Sequence, residues 1–581
     1  MVKIVKLILK QLKQYKKNTI FAPLFTALEV VMEVLLPFIT AKIIDEGLQQ
    51  ANMNIIYKYG LIMIIVALLS LCFGALSAKH AATASSGLAC NLRETMYRKI
   101  QTYSFLNIDK FSTAGLVTRL TTDVTNVQNA FQMMIRTAVR APLMFIFSMM
   151  MCILINKKIS LIFLVAILFL TVIISFLVTQ TAKAFNRVFD KYDDLNSDVQ
   201  ENISGIRVVK AYVREKYEKS KFENAVNKLY ALFVKAEGLM ALNNPAMMLT
   251  VYACILAVSW FGAHFIVEGS MSTGQITSLF SYITSLMMSL MVFSMVIVMI
   301  TMSLASIRRI KEVLEEIPDL AEPVTPKYDV KDGSIVFDNV SFSYKKGIGK
   351  DTLKNINIKI HSGEMIGIIG STGSGKSSLV NLISRLYDVK KGRVLVGGVN
   401  VKDYDLHSLR SQVSVVLQNN VLFSGSILEN LRWGDKEASE EQCIEACRLA
   451  CADEFIEKMP DKYHTHIERG GVNISGGQKQ RLCIARALLK KPKILIMDDS
   501  TSAVDTATDA KIRKDLRHNI PDTTKIIIAQ RISSVQDADR IIVLNEGKID
   551  AFDSHDNLLK KNKIYREIYE SQTSNGGDFD E

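Results

Sequence analysis

"MIGIIGSTGSGKSSLVNLISRLY", Met365 to Tyr387, places an apolar run before a glycine-rich turn and a segment of helical character after it. Its central part, Gly370 to Ser378, matches the pattern G-x-x-x-x-G-K-[S/T] in full. Glycines allow successive backbone N–H groups to curl around a phosphate, and the helix that follows directs its positive N-terminus at the same group. A strand, a phosphate-binding loop and a helix in this order predict an α/β P-loop nucleotide-binding domain with a parallel sheet.

The loop predicts ATP and Mg²⁺ as ligands. We expect Lys376 to reach the β- and γ-phosphates and Ser377 to ligate the metal ion. Asp498 ends a second apolar run, "ILIM", and is the expected acid on the metal side of the site. The predicted ATP-binding residues of the loop are Gly370, Ser371, Thr372, Gly373, Ser374, Gly375, Lys376, Ser377 and Ser378.

The earlier part of the chain has a different composition. With 581 residues, of which 49% are hydrophobic, the chain is too long for one ordinary core, so two or more domains are expected. Six apolar stretches are long enough to cross a bilayer as helices, which predicts an α-helical membrane domain with six transmembrane helices. These stretches lie near residues 19–40, 56–78, 133–155, 159–180, 246–267 and 276–303.

The spacing of these stretches predicts the organisation of the chain. Short loops lie outside and long helical extensions inside if the N-terminus is cytoplasmic, so we expect a multi-pass protein of the cell membrane with a cytoplasmic nucleotide-binding domain. Prolines after the sixth stretch predict an extended linker. The predicted divisions are a transmembrane domain 1–318 with cytoplasmic extensions 79–132 and 181–245, a linker 319–333, a nucleotide-binding domain 334–575 and a tail 576–581.

The net charge of +12 does not by itself indicate a nucleic-acid partner. Lys and Arg flank the apolar stretches, as the excess of positive charge on the inner side of membrane proteins predicts. Six membrane spans also argue against a soluble ATPase that acts on nucleic acid. The expected surroundings are therefore a lipid bilayer.

"NISGGQKQR", Asn473 to Arg481, resembles the signature sequence of ATP-binding cassette (ABC) proteins. Together with six spans, a linker and one cassette, it makes the whole chain similar to a half-transporter of the type IV, multidrug-exporter class. The chain resembles in particular the degenerate-site subunit of bacterial heterodimeric multidrug exporters.

This resemblance implies roles for residues outside the phosphate loop. Tyr344 is similar to the aromatic residue that stacks on adenine, and Gln418 to the glutamine that touches Mg²⁺. Glu468 resembles the acidic residue before the signature, and Asp505 the aspartate that communicates across the dimer. The signature residues implied to act on the nucleotide of the opposite subunit are Ser475, Gly476, Gly477 and Gln478.

Two positions of the expected catalytic machinery depart from the family pattern, and in the signature only Ile474 departs, where leucine is usual. Asp499 stands where the family has a glutamate that polarises the attacking water, and Gln530 stands where a histidine contacts the γ-phosphate. Aspartate is one methylene shorter, and an amide cannot become a cation or exchange a proton. We therefore expect this chain's own site to bind ATP and hydrolyse it poorly, while its intact signature completes an active site on a second half-transporter subunit.

Other functions remain open from the residues alone. A homodimer with two equally slow sites, exporting lipid or peptide, is one alternative, and an ATP-gated membrane regulator without sustained pumping is another. The ABC signature and Gln418 favour an exporter. Its direction of transport is implied only by the family resemblance.

The membrane half offers candidate residues for a substrate pathway. Glu29 and Glu33 lie one turn apart in the first span, where ionisable groups are costly and often functional, so they could attract cationic small molecules. The alternatives are an ion pair with Arg136 or Arg140, or snorkelling of these carboxylates from a less buried position. Flexible thioethers along the sixth span suit a hydrophobic substrate, although ordinary helix packing explains them equally well. These residues are Met287, Met291, Met295 and Met299.

Overall fold

The computed structural model of the protein describes residues 9–344 and 351–573. The chain divides into two compact units. One contains the chain up to Gln101 together with Thr113–Glu316, and the other contains Thr102–Ser112 together with the chain from Ile317 onward. The predicted tail lies outside the described residues.

The chain from Lys16 to Glu315 is almost entirely helical. Its helices are α1 Lys16–Lys42, α2 Met53–Gln101, α3 Phe105–Phe111, α4 Thr113–Thr118, α5 Val124–Ile135, α6 Thr137–Ile155, α7 Lys157–Ser204, α8 Ile206–Ala211, α9 Glu215–Ala241, α10 Asn243–Val267 and α11 Thr273–Glu315. Side-chain caps begin three of these helices: Ser104 caps α3, Asn156 caps α7 and Ser272 caps α11. Asn156 accepts hydrogen bonds from the backbone N–H groups of Lys158 and Ile159, and so starts α7 directly after α6 ends.

Six helical segments of the first unit are long and apolar enough to cross a membrane. They are Lys10–Leu48, Met53–Gln101, Thr113–Ile155, Lys157–Phe185, Glu215–Val267 and Thr273–Phe293. The predicted number and order of spans are confirmed. Several segments are longer than the apolar stretches because the polar residues beyond them continue the same helix, as in α2.

The first unit packs around an apolar core that includes Val34, Phe163, Leu279 and Met287. One polar group inside this core has a clear partner. The buried hydroxyl of Tyr282 donates to the backbone oxygen of Val34 at 2.8 Å. This pairing is favourable because an unsatisfied polar group in apolar surroundings costs roughly 2–7 kcal/mol.

The second unit is an α/β domain. Its strands are β1 Ile335–Phe342, β2 Leu353–Ile360, β3 Met365–Gly370, β4 Lys391–Val396, β5 Val399–Asn400, β6 Val413–Val416, β7 Gly425–Ser426, β8 His466–Ile467, β9 Ile494–Asp498, β10 Thr524–Ile528, β11 Arg540–Asn545 and β12 Lys548–Asp553. Its further helices are α12 Lys376–Asn381, α13 Leu406–Gln412, α14 Ile427–Leu431, α15 Glu440–Leu449, α16 Asp453–Ile456, α17 Gly476–Leu489, α18 Thr506–Asn519, α19 His555–Lys561 and α20 Lys563–Thr573.

The strand order of the main sheet determines where its loops meet. The order is β12-β11-β3-β10-β9-β6, and the strands from β11 to β6 run parallel. A second, antiparallel sheet has the order β2-β1-β4-β5. The loops after β3, β10, β9 and β6 therefore leave the same edge of the parallel sheet, where ligands bind in open α/β folds. The predicted fold class, a six-span helical membrane domain followed by an α/β P-loop domain, is confirmed.

Residues 102–112 belong to the second unit through specific contacts. The side chain of Asn107 donates from Nδ2 to the backbone oxygen of Ile317 at 3.2 Å. Its Oδ1 accepts from the backbone N–H of Asp319, also at 3.2 Å. One amide side chain thus joins α3 to the chain that enters the nucleotide-binding fold.

Candidate functional site

The glycine-rich loop joins β3 to α12. Gly373 and Gly375 have φ angles of +81° and +100°, which glycine adopts without strain. The Nζ of Lys376 folds back over the loop and donates to the backbone oxygens of Gly370 at 2.8 Å and Ser371 at 3.0 Å. The loop thus has the backbone conformation of a phosphate cradle, with its lysine ammonium held across it.

The charged groups beside the loop are partly removed from solvent. Burial lowers the pKa of Lys376, although Asp498 and Asp499 oppose that shift. Burial raises the pKa of Asp498, and a hydrogen bond with the side chain of Ser377 acts in the opposite direction. A serine hydroxyl next to a buried carboxylate offers the hard oxygen ligands that Mg²⁺ requires. Ser377 and Asp498 therefore fit the predicted metal-binding role.

Asp499 lies at the centre of a small polar cluster. Its Oδ2 accepts hydrogen bonds from Nε2 of Gln530 at 2.9 Å and from Nε2 of Gln418 at 3.3 Å. Both glutamines are exposed, and they follow β10 and β6, the two strands that flank β9 in the parallel sheet. Asp499 itself has a φ of +48°, in the left-handed region that aspartate tolerates better than most residues. The structure thus brings together three residues that the sequence singles out separately.

Tyr344 is also held at the phosphate loop. Its hydroxyl lies 2.9 Å from the hydroxyl of Ser378. Its ring packs edge-on against Tyr387, with centroids 5.0 Å apart. The hydroxyl of Tyr387 donates to Oδ2 of Asp109, a residue of α3, at 3.3 Å. Sequence reasoning missed Tyr387, because "LISRLY" resembles the continuation of a helix, whereas α12 ends at Asn381 and Tyr387 lies in the turns beyond it.

The signature residues form the start of α17. Ser475 caps this helix: its hydroxyl accepts from the backbone N–H of Gln478 at 3.3 Å, and its own N–H donates to Oε1 of Gln478 at 2.9 Å. Gly477 packs closely against Ala503, since an added Cβ would lie 2.7 Å from the backbone oxygen of that residue. Within residues 9–344 and 351–573, no hydrogen bond joins Ser475, Gly476, Gly477 or Gln478 to the phosphate loop. This geometry leaves the capped helix start available for another molecule.

Glu468 and Asp505 lie on either side of the signature helix in sequence. The carboxylate of Glu468 is exposed, and its backbone N–H donates to Oδ1 of Asn473 at 3.0 Å. Asp505 caps α18 by accepting from the backbone N–H of Thr508 at 2.9 Å, and this hydrogen bond lowers the pKa of its carboxyl. Asp505 therefore has a structural role within the chain in addition to the role that the resemblance implies.

Glu29 and Glu33 both form ion pairs with Arg140. Nη1 of Arg140 lies 2.5 Å from Oε1 of Glu29, and Nη2 lies 2.6 Å from Oε2 of Glu33. The structure thus contains the ion-pair alternative. A Cβ added at Gly74 would come within 3.0 Å of the Glu29 carboxylate, so α2 packs closely over that residue. One arginine shared by two carboxylates leaves a single net negative charge for any cationic ligand.

The methionines of the sixth span have different surroundings. Met287 is buried in the core of the first unit, where it serves ordinary packing. Met291 and Met295 are exposed, and Met299 is half-buried. These four methionines therefore differ in role: one is structural, and the others lie where a substrate or a second subunit could contact them.

Replacing Arg140 with methionine is expected to destabilise the membrane unit by roughly 2 kcal/mol. The change leaves Glu29 and Glu33 without a cation inside an apolar helix pair, and the partial exposure of Arg140 and Glu33 moderates the cost. Thermal unfolding of the detergent-purified protein measures the effect. The triple variant E29Q/E33Q/R140M should recover much of the loss, because it removes the unpaired charges. An unchanged unfolding temperature for R140M would contradict the prediction.

Comparison with known proteins agrees with this geometry. Residues 19–306 match the ABC transporter transmembrane region, and residues 353–502 match the ABC transporter family of ATP-binding regions. The uncharacterized ABC transporter ATP-binding protein YfiB of Bacillus subtilis (strain 168) is 36% identical over 566 residues, which cover 97% of this chain and 98% of that protein. The uncharacterized ABC transporter ATP-binding protein Rv1273c of Mycobacterium tuberculosis (strain ATCC 25618 / H37Rv) is 34% identical over 574 residues, or 98% of each chain.

Among solved structures, a bacterial Atm1-family ABC exporter with ATP bound has the same fold. Its TM-score is 0.82, with 24% sequence identity, and the match covers 96% of this chain and 99% of that chain. A membrane region and one ATP-binding region in a single chain correspond to half of a transporter. The chain therefore belongs to the ABC transporter family, as a half-transporter with an exporter-type fold.

Proposed function

We propose that the chain is one subunit of a heterodimeric ATP-driven exporter that moves hydrophobic or cationic small molecules out of the cell. Family membership supports ATP binding and transport. In this proposal the chain's own site binds ATP and Mg²⁺ but hydrolyses ATP slowly. Catalysis occurs mainly at the site whose phosphate loop comes from the partner subunit.

The observation that carries the proposal is the set of hydrogen bonds to Asp499. Its Oδ2 is shared by the amides of Gln530 and Gln418. A general base must reach the water that it activates, and a misplacement of about 1 Å can cost on the order of 100-fold in rate. The aspartate is shorter than the glutamate of the family, and neither amide can take or give a proton. These features support a site that binds nucleotide without turning it over quickly.

The intact signature supports the second part of the proposal. Ser475 to Gln478 form a capped start to the 14-residue helix α17, and exposed N–H groups at such a helix start bind anions. Such a helix start can complete the ATP site of a partner subunit. An asymmetric pair then has one active and one slow site.

The substrate class has weaker support. Exposed Met291 and Met295 fit a hydrophobic substrate, since thioethers adapt to many apolar shapes. The ion pairs of Arg140 reduce the support that Glu29 and Glu33 lend to a cationic one. We further propose the cell membrane as the location, with the nucleotide-binding domain in the cytoplasm and domain limits as predicted from the sequence.

ATPase measurements on three purified samples test the proposal. They are this chain alone, this chain with a candidate partner half-transporter, and the same pair with the partner's catalytic glutamate replaced by glutamine. We expect little activity from the chain alone, activity from the pair, and loss of activity with the partner variant. An ordinary rate for the chain alone would overturn the proposal and favour a homodimer.

Transport itself is measured separately in inside-out membrane vesicles. ATP-dependent accumulation of a hydrophobic fluorescent cation inside the vesicles supports an exporter. ATPase activity that depends on both subunits but moves no hydrophobic or cationic probe would contradict the proposed substrate class.

A further inference from the structure

The end of the last described helix holds the backbone beside Gln530. Gln572 lies in the last turn of α20. Its Oε1 accepts from the backbone N–H of Ile532 at 2.9 Å, and its Nε2 donates to the backbone oxygen of Gln530, also at 2.9 Å. A single amide side chain thus satisfies two backbone groups of one short loop.

The position of this loop explains why its backbone groups need hydrogen-bond partners from a side chain. It leaves β10 after Ile528 and enters a single helical turn at Ile532–Ser534. Ile532 is fully buried, so its N–H requires a hydrogen-bond acceptor within the protein. Gln530 is exposed, and its side chain is directed at Asp499 by the 2.9 Å hydrogen bond to Oδ2.

α20 is anchored independently of Gln572. Tyr565 is fully buried, and its hydroxyl lies 2.7 Å from Nδ1 of His555 on α19. Ile568 and Tyr569 pack against the same apolar core that contains Ile532. The helix therefore presents Gln572 from a fixed base, and a change of its side chain leaves these contacts in place.

We infer that Gln572 is a positioning residue for this chain's ATP site, acting through the backbone of Gln530. The inference rests on the proposed function, in which the slow hydrolysis that remains at this site depends on Asp499 and on the Gln530 amide bound to it. With the backbone oxygen of Gln530 and the N–H of Ile532 both held, the Gln530 amide stays on the Asp499 carboxylate. Without Gln572, the loop is free to shift the Gln530 amide. ATP hydrolysis requires its groups to be placed within about 1 Å, so such a shift slows the reaction.

Gln572→Met tests the inference, because methionine has a similar length and neither polar group. The matched control is Ser571→Ala on the same helix, where the hydroxyl only contacts the backbone oxygen of Ile568. Single-turnover ATP hydrolysis is measured at this chain's site in the assembled full-length transporter, with the other subunit's ATP site inactivated. We expect hydrolysis about ten-fold slower for Q572M, ATP affinity within about two-fold of the original, and no change for S571A.

A double-mutant cycle with Gln530→Ala separates positioning from general destabilisation. If Gln572 acts through Gln530, Q572M has no further effect once the Gln530 side chain is gone. Equal effects of Q572M in both backgrounds would overturn the inference, as would an unchanged rate for Q572M alone. Gln572→Glu keeps the acceptor for Ile532 but not the donor to Gln530, so an intermediate rate is expected.

Hydrogen exchange reports on the loop without depending on catalysis. The amide of Ile532 should exchange faster in Q572M, while the amides of β9 remain protected. Unchanged protection of Ile532 would contradict the inference. Failure of the proposed slow site would instead appear as a normal rate in the unaltered chain, and the double-mutant cycle would still show whether Gln572 acts through Gln530.

Discussion

Replacing Asp499 with glutamate and Gln530 with histidine is expected to raise ATP hydrolysis at this chain's own site by about 100-fold. Glutamate adds the methylene that brings the carboxylate to the attacking water. Histidine supplies a group that can carry charge and exchange a proton, whereas the amide of Gln530 is neutral and only donates a hydrogen bond to Asp499. The measurement is single-turnover hydrolysis with the other subunit's ATP site inactivated.

The single variants identify which residue limits the rate. D499E alone should give most of the gain, because the base must reach the water before the second group contributes. D499N is the matched control: it keeps the length of aspartate and removes its basicity, so any residual rate should fall further. ATP affinity should change little in all three variants. A double variant no faster than the original chain would show that the slow site has another cause.

Replacing Lys376 with alanine is expected to weaken ATP binding at this chain's site by about 100-fold, which corresponds to ~2.7 kcal/mol. The ammonium group lies over the phosphate loop, held by the backbone oxygens of Gly370 and Ser371. ATP phosphates would replace these neutral acceptors with charged oxygens, so the ammonium would gain a direct attraction between opposite charges at a partly buried site. Loss of the ammonium group therefore destabilises the complex with ATP.

Titration with a fluorescent ATP analogue in the presence of Mg²⁺ measures this loss. Lys359→Ala is the control, since Lys359 is an exposed lysine of β2 in the same unit. Thermal unfolding of K376A should match the original chain closely enough to exclude loss of the fold. Equal ATP affinity for K376A and K359A would contradict the assignment of the phosphate loop.

The main architecture could be predicted from local pattern alone. Apolar stretches of spanning length identify membrane helices because a bilayer imposes one thickness on every span. The phosphate loop identifies the nucleotide-binding fold because its glycines permit a backbone conformation that neighbouring residues in the sequence determine. The break at Asn156 follows the same rule, since an N-cap acts on the next three residues.

The contacts within the candidate site could not be predicted in this way. Gln418 and Asp499 are 81 residues apart in sequence and meet because β6 and β9 are neighbours in the sheet. Glu29 and Arg140 are separated by 111 residues, and the sequence left both Arg136 and Arg140 as partners. Only helix packing selects Arg140.

Sequence by itself determined the residue types available for chemistry: the phosphate loop, Asp498, the shortened carboxylate at Asp499 and the amide at Gln530. Tertiary structure alone decided which of them touch, and it placed Tyr387 against Tyr344 and Gln572 against the backbone of Gln530. The physical reason is the distance along the sequence over which each kind of interaction acts. Turns, caps and helical spacing depend on a few consecutive residues, whereas the 42-residue separation of Gln530 and Gln572 is closed only by the packing of α20 against the apolar core.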